Sequence, residues 1–418
     1  MPEINLLDRL NINRKDFWVV FILLFNAFTW HYLIHTSMIP RILDGFTIAY
    51  VQTLVWVVYY ITIIGSGLVG LLLSSRIRRL HFLYLWIALG AITSLFAIPL
   101  QSTTITNTLS LTLLWGISFG LGIPSCLAYF ADCTLVENRG RVGGITFIVI
   151  NISFPLIVML SKVDFAMISI ISAMWRGLGL IILFLLKPSE KIAIEKKRGS
   201  SVISIFHNKA FILYLVPWFM FCLVDRFEKS VLEHFLINRM PDVISFVGVV
   251  EPIIGSFFIL IAGLLSDWIG RKRMVLYGFI ALGFAYAIIG IAPSIFVSWY
   301  FYSIIDGAAW GIFSVIFILI LWGDLSQPGT RKEYYIIGST PFFLSSVIPS
   351  LLAPSFIESI PPYAAFSLAS FFLFVAVLPL MYAPETLPER KIKLRQLRKY
   401  VEGARKVKEK HEGKGVRG

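Results

Sequence analysis

Charge is scarce in this chain, and cysteine scarcer still. Only 15% of its 418 residues are Asp, Glu, Lys or Arg, against 57% that are hydrophobic. A soluble fold of this length has too little interior to hide that much apolar surface. The three cysteines leave no disulfide or zinc framework. Cys126 and Cys133 share one expected helix, roughly 10 Å apart by helical rise, and Cys222 stands alone. No GxxxxGK[ST] run occurs, so no nucleotide-driven cycle is expected. No Ser/His/Asp set, paired catalytic carboxylates or HExxH stands out either, and no enzyme activity, metal or cofactor is expected. The opening MPEINLLDRLNINRKDFW is mixed in charge and does not read as a cleavable signal.

What the chain has in plenty is apolar runs of about twenty residues, the length a helix needs to cross about 30 Å of hydrocarbon. In the first half the spans fall near Phe17–Ile39, Thr47–Leu73, Leu80–Ile98, Leu109–Ala131, Val142–Leu160 and Phe165–Leu186. In the second they fall near Ala210–Ile237, Val243–Leu265, Met274–Ile291, Ile295–Leu321, Tyr334–Ile357 and Tyr363–Tyr382. The expected class is an all-α integral membrane protein with the lipid bilayer as solvent.

The net charge of +13 is set by topology. Three bases lie in odd-numbered loops (Arg41, Lys162, Arg239) and three inside spans (Arg176, Arg226, Lys229). The other 31 of the 37 sit on the N-terminus, the even-numbered loops and the C-terminal tail. The positive-inside rule then puts both termini in the cytoplasm, for a multi-pass protein of the cell membrane. The basic charge faces anionic lipid, and no nucleic acid is expected.

The stretch GLLSDWIGRKR from Gly263 has a degraded copy, GLLLSSRIRRL, from Gly70. Gly116 and Gly307, Gly120 and Gly311, Arg139 and Arg331, and Pro188 and Pro384 repeat at nearly the same offset. Four pairs in register mean an internal duplication into two six-helix halves. The expected organisation is an N-terminal bundle 1–187, a cytoplasmic linker 188–209, a C-terminal bundle 210–383 and a basic tail 384–418. In the tail Leu394, Leu397, Val401 and Ala404 repeat at helical spacing, fitting either an amphipathic helix on the inner leaflet or a solvated tail.

With twelve spans arranged 6+6 and the GxxxDxxGRKR turn after the eighth, the chain resembles the major facilitator superfamily (MFS). VENRGR, KPSEK and PETLPER resemble its sugar-porter and organic-ion branch. Ser74 and Ile77 replace the first turn's Asp and Gly, the seventh span lacks the branch's paired glutamines, and the fifth lacks the Gly-Pro of drug antiporters. The resemblance implies a central cavity lined by helices 1, 4, 7 and 10 and opened alternately to either side.

Physical chemistry gives the turn a role. Gly263, with Gly70 in the copy, lets helices approach closely, and Gly270 permits the tight reversal. Asp267 suits the N-terminus of a neighbouring helix, which the resemblance implies is the eleventh, with Arg331 as partner. Together with Arg271, Arg139, Arg78 and Glu137 it would form a cytoplasmic gate; the alternative is a turn that serves topology alone.

Ionisable residues inside spans are functional candidates, because a charge at mid-bilayer costs several kcal/mol. Asp225 and Lys229 are spaced to pair within the seventh span, as binding groups or as an outer gate. Asp306, midway along the tenth, is expected to face Arg226 and to carry a proton or cation, or to form a fixed ion pair with it. Glu251 is a second carboxylate. Asn26, Trp30 and His31 are the mid-span polar positions of the first helix; His31 is either a titrating group or an interhelical hydrogen-bonding one. Arg176 has no partner visible in the sequence. These residues suggest a monomeric secondary transporter for a small polar or charged solute, coupled to protons. A facilitative uniporter and a non-transporting sensor or scaffold are the alternatives.

Overall fold

The computed structural model describes residues 12–100, 104–190, 202–359 and 361–387. Twelve long helices run through them, and no strand occurs among the described residues. The first half holds α1 (Arg14–Leu43), α2 (Ala49–Arg76), α3 (Arg79–Leu100), α4 (Ile105–Cys133), α5 (Arg139–Lys162) and α6 (Phe165–Leu186). The second holds α7 (Lys209–Arg239), α8 (Pro241–Ile269), α9 (Arg271–Ile291), α10 (Phe296–Leu325), α11 (Arg331–Ser359) and α12 (Pro362–Tyr382).

A helix occurs at each of the twelve apolar runs, and eleven of them are long and apolar enough to cross a membrane among the described residues. Most ends reach a few residues further, because flanking polar side chains finish the helices. Asn13, Asp164 and Asn208 each accept hydrogen bonds from the first backbone N–H groups of α1, α6 and α7. Large apolar side chains such as Phe184, Phe257, Phe284 and Phe371 point outward and are exposed. That suits hydrocarbon, where only the backbone needs internal hydrogen bonds. The molecule is a multi-pass membrane protein.

The halves, α1–α6 and α7–α12, meet chiefly along two helix pairs, α5 with α8 and α2 with α11. At the repeat offset these pairs are counterparts. Regular α-helix is interrupted in three helices at the centre. α4 breaks at Leu121 and Gly122, α10 turns π-helical over Ser314–Ile320, and α1 does so over Ile34–Met38. Gly122 and Ser314 are 192 residues apart, so α4 and α10 lose regularity at equivalent points. Such π segments concentrate at functional sites. The expected tail helix on Leu394, Leu397, Val401 and Ala404 lies outside the described residues, as does 191–201 of the linker.

Candidate functional site

The charged turns gather at one end of the molecule, here the basic end. α8 stops at Gly270, whose φ of 109° is open to glycine and strained for other residues. α9 begins at once, its Arg271 and Lys272 N–H groups donating to Glu385 at 2.8 and 3.2 Å. Asp267, near the end of α8, is buried and crosses to the other half. It accepts from the backbone N–H of Gly140 (2.9 Å) and Arg141 (2.8 Å) at the start of α5. The helix dipole favours an anion there. Arg271 and Arg141 complete its shell at 2.8 and 3.3 Å. The backbones approach closely enough that a Cβ on Gly263 would stand 2.5 Å from the Gly140 carbonyl oxygen.

Behind this contact lie two more acids. Asp324, at the end of α10, pairs with Arg271 of its own half (3.1 Å) and with Arg139 of the other. Asp132, at the end of α4, pairs with Arg79 of its own half and Arg331 of the other. Asp324, Arg139 and Arg271 are almost fully shielded from solvent. In the degraded copy, Ser74 accepts at Oγ from Lys332 of α11 at 3.2 Å. Both halves are therefore fastened to each other at this end.

A second constellation lies at mid-depth inside the second half. Asp225 and Glu228 come from α7, Glu251 from α8 and Asp306 from α10. Asp225 accepts from the Trp310 indole N–H at 2.8 Å. Glu228 accepts from the hydroxyls of Tyr286 (3.0 Å) and Tyr302 (3.4 Å). The Glu251 and Asp306 carboxyl groups face each other across α8 and α10. Glu228 Oε1 and Asp306 Oδ1 have no hydrogen-bond partner among the described residues.

Between the halves is a cavity of roughly 520 Å³ including its opening. α1, α4, α7 and α10 line it, with a contribution from α11. Its walls are mostly aromatic, and His31, Tyr32 and Ser339 bring the polar groups. His31 Nδ1 is 2.8 Å from the Tyr59 hydroxyl, and its ring stacks on Phe119 at 4.1 Å.

The sequence model of the Major Facilitator Superfamily matches residues 237–411. The whole fold superposes on solved transporters. The human organic anion transporter MFSD10 (TETRAN) aligns with a TM-score of 0.63 at 14% identity, over 88% of this chain and 99% of that one. The MFS proton:xylose symporter XylE, bound to 6-bromo-6-deoxy-D-glucose, aligns at 0.63 and 16%, over 89% and 96%. The chain has the major facilitator fold. No curated protein matches it in sequence. The family match falls in the second half of the chain, and the fold is the one these two transporters share.

Within the major facilitator fold, several residues sit differently from the sequence reading. Asp267 does reach a helix N-terminus, but that of α5, not α11; Arg331 belongs to Asp132. Gly70 packs inside its own half, against the Leu121 backbone. Arg78 is exposed, and its neighbour Arg79 makes the ion pair. Glu137 lies in the α4–α5 turn, its carbonyl accepting from Arg141 at 3.3 Å. Asp306 faces Glu251 and not Arg226, whose guanidinium lies 5.4 Å over the Phe342 ring. Asp225 bonds Trp310, and no Asp225–Lys229 ion pair occurs among the described residues. The helical spacing allows that pair, but the indole is nearer.

Asn26 and Trp30 face away from the cavity and supply what Arg176 lacked. Arg176 donates to Asn26 Oδ1 at 2.9 Å and lies between the Trp30 and Trp86 rings at 5.0 and 4.8 Å. It is fully buried, held by cation–π contact and an amide. Sequence reasoning passed over Asp132, Asp324, Arg79, Arg141, Glu228 and Glu385. The offset of 192 was the available signal for three of them, since it relates Asp132 to Asp324 and Arg79 to Arg271.

Proposed function

We propose that the protein is a secondary active transporter that carries a small polar or charged solute by alternating access, coupled to protons. The observation that carries this reading is the Glu251–Asp306 pair. Two carboxyl groups that face each other in an apolar surrounding avoid like-charge repulsion when one of them takes up a proton. The pair lies at mid-depth beside the cavity helices α7 and α10, where net charge is costly and proton uptake is a low-cost way to change it. The ion pairs at the basic end give the complementary device. They close one side, and they must part for the solute to leave there.

With the basic end in the cytoplasm, the closed end is the inner one. The cycle then runs by rocking α1–α6 against α7–α12, breaking the α5–α8 and α2–α11 contacts on one side. The resemblance to a proton:xylose symporter in fold suits proton coupling without naming the solute.

The test is uptake into proteoliposomes across a panel of sugars, amino acids, carboxylates and organic cations, with and without an inward proton gradient. Gradient-driven accumulation of any one solute, reduced to passive exchange in Asp306→Asn and Glu251→Gln, is the expected result. Flux that ignores the gradient would make the protein a uniporter. No flux of any solute would make it a sensor or scaffold.

A further inference from the structure

The cavity and the Arg226 cation at its edge narrow the solute further, an inference that rests on the transporter reading. We infer that the site takes an amphipathic organic anion: an aromatic body between the rings of the cavity and a carboxylate-class head group against Arg226.

Three observations carry this. The first is the wall. Phe28, Phe119, Phe317, Phe342 and Phe343 present ring faces and edges, with few hydrogen-bonding groups among them. A sugar needs a hydrogen-bonding partner for most of its hydroxyls, and a pocket that supplies few discriminates against it. A flat apolar body loses nothing there, and stacked or edge-on ring contacts favour it.

The second is the charge. Arg226 sits with its guanidinium over Phe342, a wall residue, so the cation stands at the edge of the cavity. It has no ion pair among the described residues, and Asp225, beside it on α7, accepts from the Trp310 indole. A planar guanidinium with free N–H groups is the side chain best shaped to take a carboxylate in two parallel hydrogen bonds.

The third is position. Arg226 comes from α7 in the second half, and the Phe342 ring beneath it leads through Phe343, at 5.3 Å, to Tyr60 of α2 in the first half, at 6.5 Å. His35 Nε2 and the Tyr60 hydroxyl are 2.8 Å apart and put a polar pair on that side of the first half. A head group held there touches both halves, whereas the aromatic body rests on Phe119 of one and Phe317 of the other. Lys229, one turn along α7, adds a second positive charge on the same side.

The experiment uses the full-length purified protein and tryptophan fluorescence, since Trp218 lines the cavity. The probes are phenylacetate, its neutral amide, acetate, glucose and phenethylammonium. Phenylacetate is expected to bind, at least ten-fold more tightly than its amide or acetate. Arg226→Gln should weaken phenylacetate by ten-fold or more and leave the amide unchanged, with Arg226→Lys between. Phe343→Ala should weaken phenylacetate and not acetate. If glucose or the cation binds best, if amide and acid are equal, or if no probe binds the folded wild-type protein, the inference is wrong. The wild-type ranking stands as a test even if a variant fails to fold. Failure of the transporter reading looks different: phenylacetate binds as expected, but proteoliposomes show no counterflow of it.

Discussion

Asp132 and Asp324 are 192 residues apart in the chain and hold the same place in the two halves. Each is fastened by an arginine of its own half, Arg79 or Arg271, and by one of the other half, Arg331 or Arg139. The arginines repeat at the same offset. One duplicated motif therefore appears twice at the basic end, each copy reaching into the other; under the proposed cycle each is a bond that opening must break.

Removing one acid should free that end. Breaking a buried ion pair by deleting one partner costs about 3–5 kcal/mol, and here the cost falls on the closed state alone. Asp324→Asn is expected to shift the protein toward an open basic end more than Asp132→Asn, because its partners are the more deeply buried. Labelling of cysteines introduced at the basic end of α5, in a background without Cys126, Cys133 and Cys222, would report it. Equal labelling in wild type and both variants would count against the assignment.

The degraded copy predicts a gain. Ser74 meets Lys332 with a hydroxyl, where its counterpart on α8, Asp267, meets the start of α5 with a carboxylate. Ser74→Asp should add a charge-assisted contact at the start of α11, worth about 1 kcal/mol, or several-fold in the closed population. Slower turnover with unchanged solute affinity is the expected reading. Faster turnover would show that this contact does not limit opening.

Gly263 is where the two backbones come closest. A Cβ there would also stand 2.8 Å from the Gly144 Cα, backbone on backbone, with no side chain to yield. Gly263→Val should prise α5 from α8 and hold the basic end open, while the first and second halves keep their own packing. Cross-linking of cysteines placed on α5 and α8 would fall several-fold. Undiminished cross-linking would mean that the closed state tolerates the bulk.

Arg176 should matter for stability and not for the proton. Its charge is met by two indole faces and Asn26, far from the carboxyl groups of the second half. Arg176→Leu strands the amide and removes the stacking, a loss of about 2–4 kcal/mol. Arg176→Lys should recover little, since an ammonium cannot lie flat between two rings. A lowered Tm with gradient-driven uptake intact is the expected pattern. Intact stability with lost proton drive would place Arg176 in the coupling path.

The twelve spans were legible because hydrocarbon demands long apolar runs, and the capped ends follow from polar residues just beyond them. The gate was only partly legible. That Asp267 would seek a helix N-terminus follows from its place at the end of α8, but which of two equivalent helices it meets depends on how the halves dock, and the resemblance pointed to α11 where the chain uses α5. Asp132 and Asp324 were hidden by unlike surroundings, ADCT and GDLS, despite their shared offset. The mid-depth cluster was half visible. Asp306 and Glu251 stood out as lone carboxylates in apolar runs, whereas Glu228 was masked by the neighbouring charges of DRFEKS and is defined by tyrosines from α9 and α10. Arg176 could not be placed from sequence, because its partners are rings, and a ring in an apolar helix carries no mark of what it faces.

The central claim is that the basic end opens when these paired acids let go. The most direct measurement is the distance between spin labels on Leu135, in the α4–α5 turn, and Trp268, at the end of α8, in wild type and in the Asp132→Asn/Asp324→Asn double variant. The account predicts a short distance dominating in wild type and a second, longer population rising several-fold in the double variant. A single short distance in both proteins would contradict it.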